Sequence, residues 1–326
     1  MRIEGSSRCS ASQSVSASSS ACAYPDGSPA IAAAIICGVN TQTSSKPAPI
    51  TIGGREFRWG GRTYVMGVVN VTPDSFSGDG LGDNVDAAVR QAVQMREEGA
   101  DLIDIGGEST RPGFAEVPAD EEMRRVLPVI ERLTGEIDIP ISIDTHKAEV
   151  AKAALAAGAM LVNDVHGFLR EPEIARVAAE AGVPAIAMYN HRGREFHDTI
   201  GNVVEGLTES LKIAREQGLH DDRIIVDPGF NFGWTDEQAL EMLLRLAELR
   251  ILGRPILIGT SLKSTIGNVL GGLPVEERVE GTAATMAIAI ANGADIIRVH
   301  DIKQMARVAR MADAVARGWT PEPAAP

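Results

Sequence analysis

Eight short apolar runs in this 326-residue chain each end in side chains that can do polar chemistry. The ends carry Asn70; Glu108, Thr110 and Arg111; Asp144; Asn163 and Asp164; Met188 and Tyr189; Asp227; Ser261, Lys263 and Ser264; and Arg298 and His300. By chemistry they fall into two groups. Asp144, Asn163, Asp227 and Lys263 are the types that read a flat nitrogen heterocycle: carboxylates accept from ring N–H and amino groups, and an ammonium donates to a carbonyl or ring nitrogen. Arg298 and His300 alternate along the last run, so a strand turns both to one side. With Arg111 they suit a phosphate-like anion, which arginine grips with parallel N–H donors. Ser264-Thr265 opens a helical stretch whose free N–H groups favour a carboxylate or phosphate. Alone, each residue has a plainer use: an Asx turn for Asn70, a core hydrogen bond for His300, a buried ion-pair network for the carboxylates. Recurrence at every run is what points to a ligand.

The same residues exclude other chemistries. No H-x-x-x-H pair is present, and Cys9, Cys22 and Cys37 are the only cysteines, so a zinc site in the main domain is not expected. A Mg²⁺ held mainly by a substrate's phosphates, with Asn70 as a protein oxygen, is compatible. No Ser–His–Asp or cysteine nucleophile is apparent.

Strands must position these groups. Tyr64 to Asn70 is a continuous apolar run of strand length, suited to burial on both faces, and Pro73 forces the residues after it into a loop. Comparable runs occur at 102–107, 141–145, 161–165, 184–189, 223–228, 255–260 and 296–301. Between them lie stretches of helical periodicity, such as the stripe Val85, Ala88, Val89, Ala92 and Val93, several closed by Gly in the manner of a left-handed C-terminal stop. Alternation over about 250 residues predicts an α/β fold of the (β/α)₈ TIM-barrel type, whose strand C-termini converge on one face. A doubly wound sheet would carry G-x-G-x-x-G after its first strand, and the chain has Asn70-Val-Thr-Pro-Asp-Ser there.

Residues 50–63, with their glycine pairs, read as a β-hairpin at the barrel bottom, 64–318 as the barrel, and 319–326 as a disordered tail. Residues 1–49, rich in Ser and Ala, read as a disordered or mis-assigned tail outside the fold. Hydrophobic residues make up 44% of the chain and aromatics 4%, so the core must be built from Ala, Val, Ile and Leu. A net charge of −13 argues against non-specific affinity for nucleic acid or anionic membranes, and no apolar run is long enough to span a bilayer. The cysteine-free main domain fits a cytoplasmic protein.

At these residues the chain resembles the dihydropteroate synthases. The resemblance is carried by Met66-Gly-Val-Val-Asn-Val-Thr-Pro-Asp-Ser-Phe76, Ile105-Gly-Gly-Glu-Ser-Thr-Arg-Pro-Gly113 and Ile141-Ser-Ile-Asp-Thr145. It continues through Asn163-Asp164, Asp227-Pro-Gly229, Gly259-Thr-Ser-Leu-Lys-Ser264 and Ile297-Arg-Val-His-Asp301. It implies condensation of 6-hydroxymethyl-7,8-dihydropterin pyrophosphate with p-aminobenzoate to give 7,8-dihydropteroate and pyrophosphate. It further implies that Asp144, Asn163, Asp227 and Lys263 bind the pterin, and that Asn70, Arg298 and His300 hold pyrophosphate and Mg²⁺. The aminobenzoate carboxylate would then meet Ser264 at its helix N-terminus, under loops bearing Asp74, Thr110 and Arg111, and Met188 and Phe232 would be further substrate-binding positions. Asp74, Arg111, Asp227, Lys263 and His300 are the catalytic positions so implied, and a homodimer is the implied assembly.

The chain departs from the family pattern at several points. Leu262 stands where a basic residue is usual, Tyr189 replaces a His, Asn231 a Gly and Trp234 a Lys, and the first loop reads Ser77-Gly-Asp-Gly80. Two alternatives share the pterin carboxylates: a methyltetrahydrofolate-dependent methyltransferase, which has no need of Thr110-Arg111 or the Arg298/His300 pair, and a non-catalytic pterin-binding paralogue.

Overall fold

The apolar runs form a ring of parallel strands in which each residue's parity decides which way it faces. The computed structural model of the chain describes residues 46–72, 81–109 and 116–319. Residues 1–45, 73–80, 110–115 and 320–326 lie outside that description.

A two-stranded antiparallel hairpin comes first, β1 (Ile50–Ile52) and β2 (Arg55–Phe57), with Ile50 paired to Phe57 across a Gly53-Gly54 turn. The ring then runs β3 (Tyr64–Asn70), β4 (Leu102–Gly106), β5 (Ile141–Asp144), β6 (Leu161–Asp164), β7 (Ala185–Met188), β8 (Ile224–Asp227), β9 (Leu257–Ile258) and β10 (Ile296–Val299). Each pairs in parallel with its sequence neighbour, and β10 pairs with both β3 and β9. A parallel bridge between Val226 and Ile256, with Val226 N–H donating to Pro255 O at 2.9 Å, closes the circle between β8 and β9.

The helices between strands are α1 (Leu81–Glu98), α2 (Ala119–Glu136), α3 (Ala148–Ala156), α4 (Glu173–Ala181), α5 (Thr199–Glu216) and α6 (Asp236–Leu244). They are followed by a short α7 (Ser264–Val269), then α8 (Val279–Ala291) and α9 (Ile302–Arg317). Alternation alone predicts eight, and α7 is the extra one: it fills the connection after β9 before the regular barrel helix α8. Gly182, left-handed at φ 68°, ends α4 as the stop pattern predicts.

Two layers of side chains follow from the period of two. Outward-facing Val69, Ile105, Ile143, Val162 and Val226 pack under the helices. Inward-facing Met66, Leu102, Leu161, Ile186, Ile225, Leu257 and Ile296 form a separate cluster at the strand N-terminal ends, joined there by Ile50, Ile52, Phe57 and Trp59 of the hairpin region. The hairpin thus plugs the lower end of the barrel with apolar surface. Tyr64 anchors it: its ring lies 4.6 Å from that of Phe57, and its hydroxyl accepts from Arg58 N–H at 2.8 Å. With the lower end filled, polar side chains facing inward can gather only toward the other end.

Candidate active site

Inward parity places Asn70, Asp104, Asp144, Asn163, Met188, Asp227 and Arg298 together toward the C-terminal end of the barrel. At their centre is Asp104, fully buried, whose Oδ2 accepts from Arg298 Nε at 2.7 Å and from Asn163 Nδ2 at 2.9 Å. Arg298 Nη2 donates to Asp144 Oδ2 at 2.7 Å. One arginine therefore ties two carboxylates into a single array, and Asp104 Oδ1 keeps an acceptor with no partner among the described residues.

Asp227 is buried on the far side, with Oδ1 accepting from Gly229 N–H at 2.8 Å. Lys263, in the loop before α7, donates to Phe230 O at 2.5 Å and stands 4.8 Å from the centre of the Phe232 ring. Burial sets the proton affinities here. It raises the Asp144 carboxyl to about 7, with Arg298 opposing and Asp104 adding to the rise. It raises Asp227 as well, against the pull of Lys263. It lowers Lys263 to about 8, against the attraction of Asp227. Asp144 and Lys263 can thus exchange protons near neutrality, the kind of perturbation that gathers at functional sites.

Beside this array, Ser261 Oγ lies 3.0 Å from His300 Nδ1 and accepts from His300 N–H at 3.2 Å. At the opening of α7, Ser264 Oγ accepts from Asn231 Nδ2 at 2.8 Å, and Thr265 Oγ1 donates to Asn231 Oδ1 at 2.5 Å. Asn231 is left-handed at φ 67°, a conformation asparagine tolerates and the position demands. Leu262 is also left-handed, at φ 59°, held by Thr282 Oγ1, which accepts from its N–H at 3.1 Å, and by Arg278, which donates to its carbonyl at 2.9 Å. Asn70 ends β3 opposite Gly106. A Cβ on Gly106 would stand 3.8 Å from Asn70 Oδ1 and 3.6 Å from Asp144 Cβ, so the glycine leaves room between them.

Two strand-end residues do not join the site. Tyr189 has outward parity, opposite to Met188, and its buried ring packs against Gly206 of α5. Asp164 faces outward too, accepting from the N–H groups of His166 and Phe168 at 2.9 and 2.7 Å to shape the turn after β6, and burial raises its carboxyl to about 6. Asp74, Thr110 and Arg111 lie outside the described residues. Sequence reading missed Asp104, although a lone carboxylate within Leu-Ile-Asp-Ile-Gly, in phase with Gly106, is a detectable signal. It also missed Lys147, which bridges Glu108 to buried Glu122 of α2. Arg125 of α2 adds a bond to Gly107 O at 2.9 Å, so α2 and the start of α3 fix the segment on which Glu108 stands.

Comparison with known proteins agrees with this geometry. Residues 66–300 match the pterin binding enzyme family. The dihydropteroate synthase of Clostridium beijerinckii is 48% identical over 267 residues, covering 82% of this chain and 99% of that protein. The Clostridium difficile dihydropteroate synthase, solved in the presence of pteroic acid, superposes with a TM-score of 0.77 at 47% identity, covering 79% of this chain and 98% of that one. The Xanthomonas albilineans enzyme, solved with 4-aminobenzoic acid, gives a TM-score of 0.78 at 42% identity, covering 83% and 98%. The carboxylate array at the mouth of a parallel barrel and these likenesses lead to one conclusion: the chain belongs to the pterin-binding enzymes and, among them, to the dihydropteroate synthases.

Proposed function

We infer that the barrel mouth condenses 6-hydroxymethyl-7,8-dihydropterin pyrophosphate with p-aminobenzoate, releasing pyrophosphate and forming 7,8-dihydropteroate, as its family does. The observation that carries the division of roles is the single array joining Asp104, Asp144, Asn163 and Arg298, with Asp227 and Lys263 facing it. Asp227, Asp144 and Asn163 present acceptors and a donor to the pterin edge, Lys263 donates to its ring, and Met188 supplies an apolar face. Arg298 is held by two carboxylates, yet a guanidinium has five N–H donors, so it keeps some for a pyrophosphate oxygen. His300 stands beside it.

The reaction needs no nucleophile from the protein. The bond from the pterin methylene to the pyrophosphate oxygen breaks, and its electron pair leaves with pyrophosphate, whose charge Arg298 and His300 offset. Asp227 steadies the ring as positive charge spreads into it, the aniline nitrogen attacks the methylene carbon, and its proton passes to solvent. Positioning and electrostatics account for such catalysis. The aminobenzoate would lie between Phe232 and Ser264, with Asp74, Thr110 and Arg111 closing the set. Asn70 fits a cation that keeps its waters and phosphate ligands, because it ends its strand with one neutral oxygen to offer. Mg²⁺ bound there would supply charge neutralisation for the departing pyrophosphate.

Calorimetry separates the two halves of the site. Asp227→Ala should abolish binding of a pterin without phosphate. His300→Ala should weaken binding of pyrophosphate and spare that pterin. Equal losses of both ligands in His300→Ala would make His300 structural.

The assembly and location belong to the same proposal. Met311 and Val315, one turn apart on α9, are strongly exposed, as are Trp319 and Ile288 of α8. These exposed apolar side chains support a homodimer formed through α8 and α9. No described helix is long and apolar enough to cross a membrane, and the reading places the enzyme in the cytoplasm.

A further inference from the structure

Two of the residues that depart from the family pattern, Tyr189 and Trp234, meet across the loops that follow β7 and β8. The Tyr189 hydroxyl lies 3.0 Å from Nδ1 of His191, and the His191 ring stacks on the Trp234 indole with centroids 4.1 Å apart and planes 2° apart. The backbones are joined as closely: His191 N–H donates to Phe232 O at 2.9 Å. Gly233, at φ 90°, sits where a Cβ would stand 2.5 Å from Arg192 N, an approach only glycine permits. Three aromatic rings and a glycine thus lock one loop onto the other, and the next side chain along is Arg192.

Arg192 is presented to solvent with its Cζ 4.7 Å from the centre of the Phe232 ring, the same ring that Lys263 Nζ approaches at 4.8 Å. None of the described carboxylates lies within ion-pair distance of its guanidinium, whereas Arg298 is held by two. Partial burial lowers its proton affinity, and no acid opposes that effect. The neighbouring Asn231 joins this ring to Ser264 at the start of α7. An arginine fixed on an aromatic face, with its planar donors unspent, matches a carboxylate carried on an aromatic ring. Leu262 in the adjoining loop brings no charge to that task.

We propose that Arg192 adds a second, charged partner to the arylamine carboxylate seated at Ser264, and that the Tyr189–His191–Trp234 stack is the support that holds it in place. The proposal rests on the synthase reading, and it makes Arg192 a specificity-determining residue for the second substrate.

The test compares p-aminobenzoate with its neutral analogue 4-aminobenzamide in steady-state turnover. Arg192→Gln should raise the KM for the acid by about tenfold, the usual scale for losing a charge-assisted hydrogen bond, while changing that for the amide little. The preference for acid over amide should therefore shrink. Arg192→Lys should restore part of it. Trp234→Leu should shrink the same preference, since it removes the support and leaves the charge. Equal rises for acid and amide in Arg192→Gln, or no change in either, would overturn the assignment. A wild-type protein with no aminobenzoate-dependent turnover would fail before any substitution is made, and would overturn the synthase reading together with this one.

Discussion

Asp104 shows how much one buried charge organises here. It is fully buried, and its Oδ2 accepts from both Arg298 and Asn163, so it sets the position of both side chains at once. Replacing it with Ala strands a guanidinium in the barrel. Removing one partner of a buried pair costs about 3 kcal/mol or more, so Asp104→Ala should unfold earlier in urea and lose pterin affinity. Unchanged stability would mean that Asp144 alone suffices for Arg298.

Proton affinities at the same scale give a pH signature. Asp144, raised to about 7, must be ionised to accept from the pterin, so below that pH each binding event must release a proton and affinity falls. Lys263, lowered to about 8, must be charged to donate, so above that pH binding must take up a proton and affinity falls again. Affinity for a pterin without phosphate should therefore peak between these values. Lys263→Arg should remove the alkaline limb, and a flat profile in calorimetry would contradict both assignments. Residue type and parity made much of this legible in the chain itself. Asn70, Asp144, Asn163, Asp227 and Arg298 end or nearly end their strands in phase, whereas Tyr189 could have been set aside because Met188 and Tyr189 cannot both face inward. What the chain does not print is pairing: that Arg298 would reach Asp104 and Asp144 depends on closing a ring across 194 and 154 residues.

Among the elements, α5 and β7 show tertiary packing overriding local preference. Gly206 lies within α5, where alanine ordinarily stabilises a helix by about 1 kcal/mol. A Cβ there would sit 2.1 Å from the Tyr189 ring, so Gly206→Ala should instead destabilise the protein by roughly 1–3 kcal/mol. In a Tyr189→Ala background the same substitution should turn stabilising, as denaturation midpoints would show. Strands were legible because each is a short apolar run with a polar end, and their ends shifted by only a residue or two. The short helix α7 was legible as a start at Ser264-Thr265. Its end at Val269 is set by the Gly271-Gly272 pair, whose N–H groups bond back to Asn268 and Gly267.

For the whole molecule, a ring plugged at one end by the hairpin leaves a single place where inward polar groups can meet solvent and substrate. The apolar stripe on α9 belongs to the same scale: Val315→Asp should yield a monomer by sedimentation if α8 and α9 form the dimer face, and an unchanged mass would place the interface elsewhere. The most direct measurement is pyrophosphate release from the purified protein given dihydropterin pyrophosphate and Mg²⁺, with and without p-aminobenzoate. Release that depends on p-aminobenzoate and matches dihydropteroate mole for mole is the expected result. Tight pterin binding without such release would contradict the synthase and leave a pterin-binding paralogue.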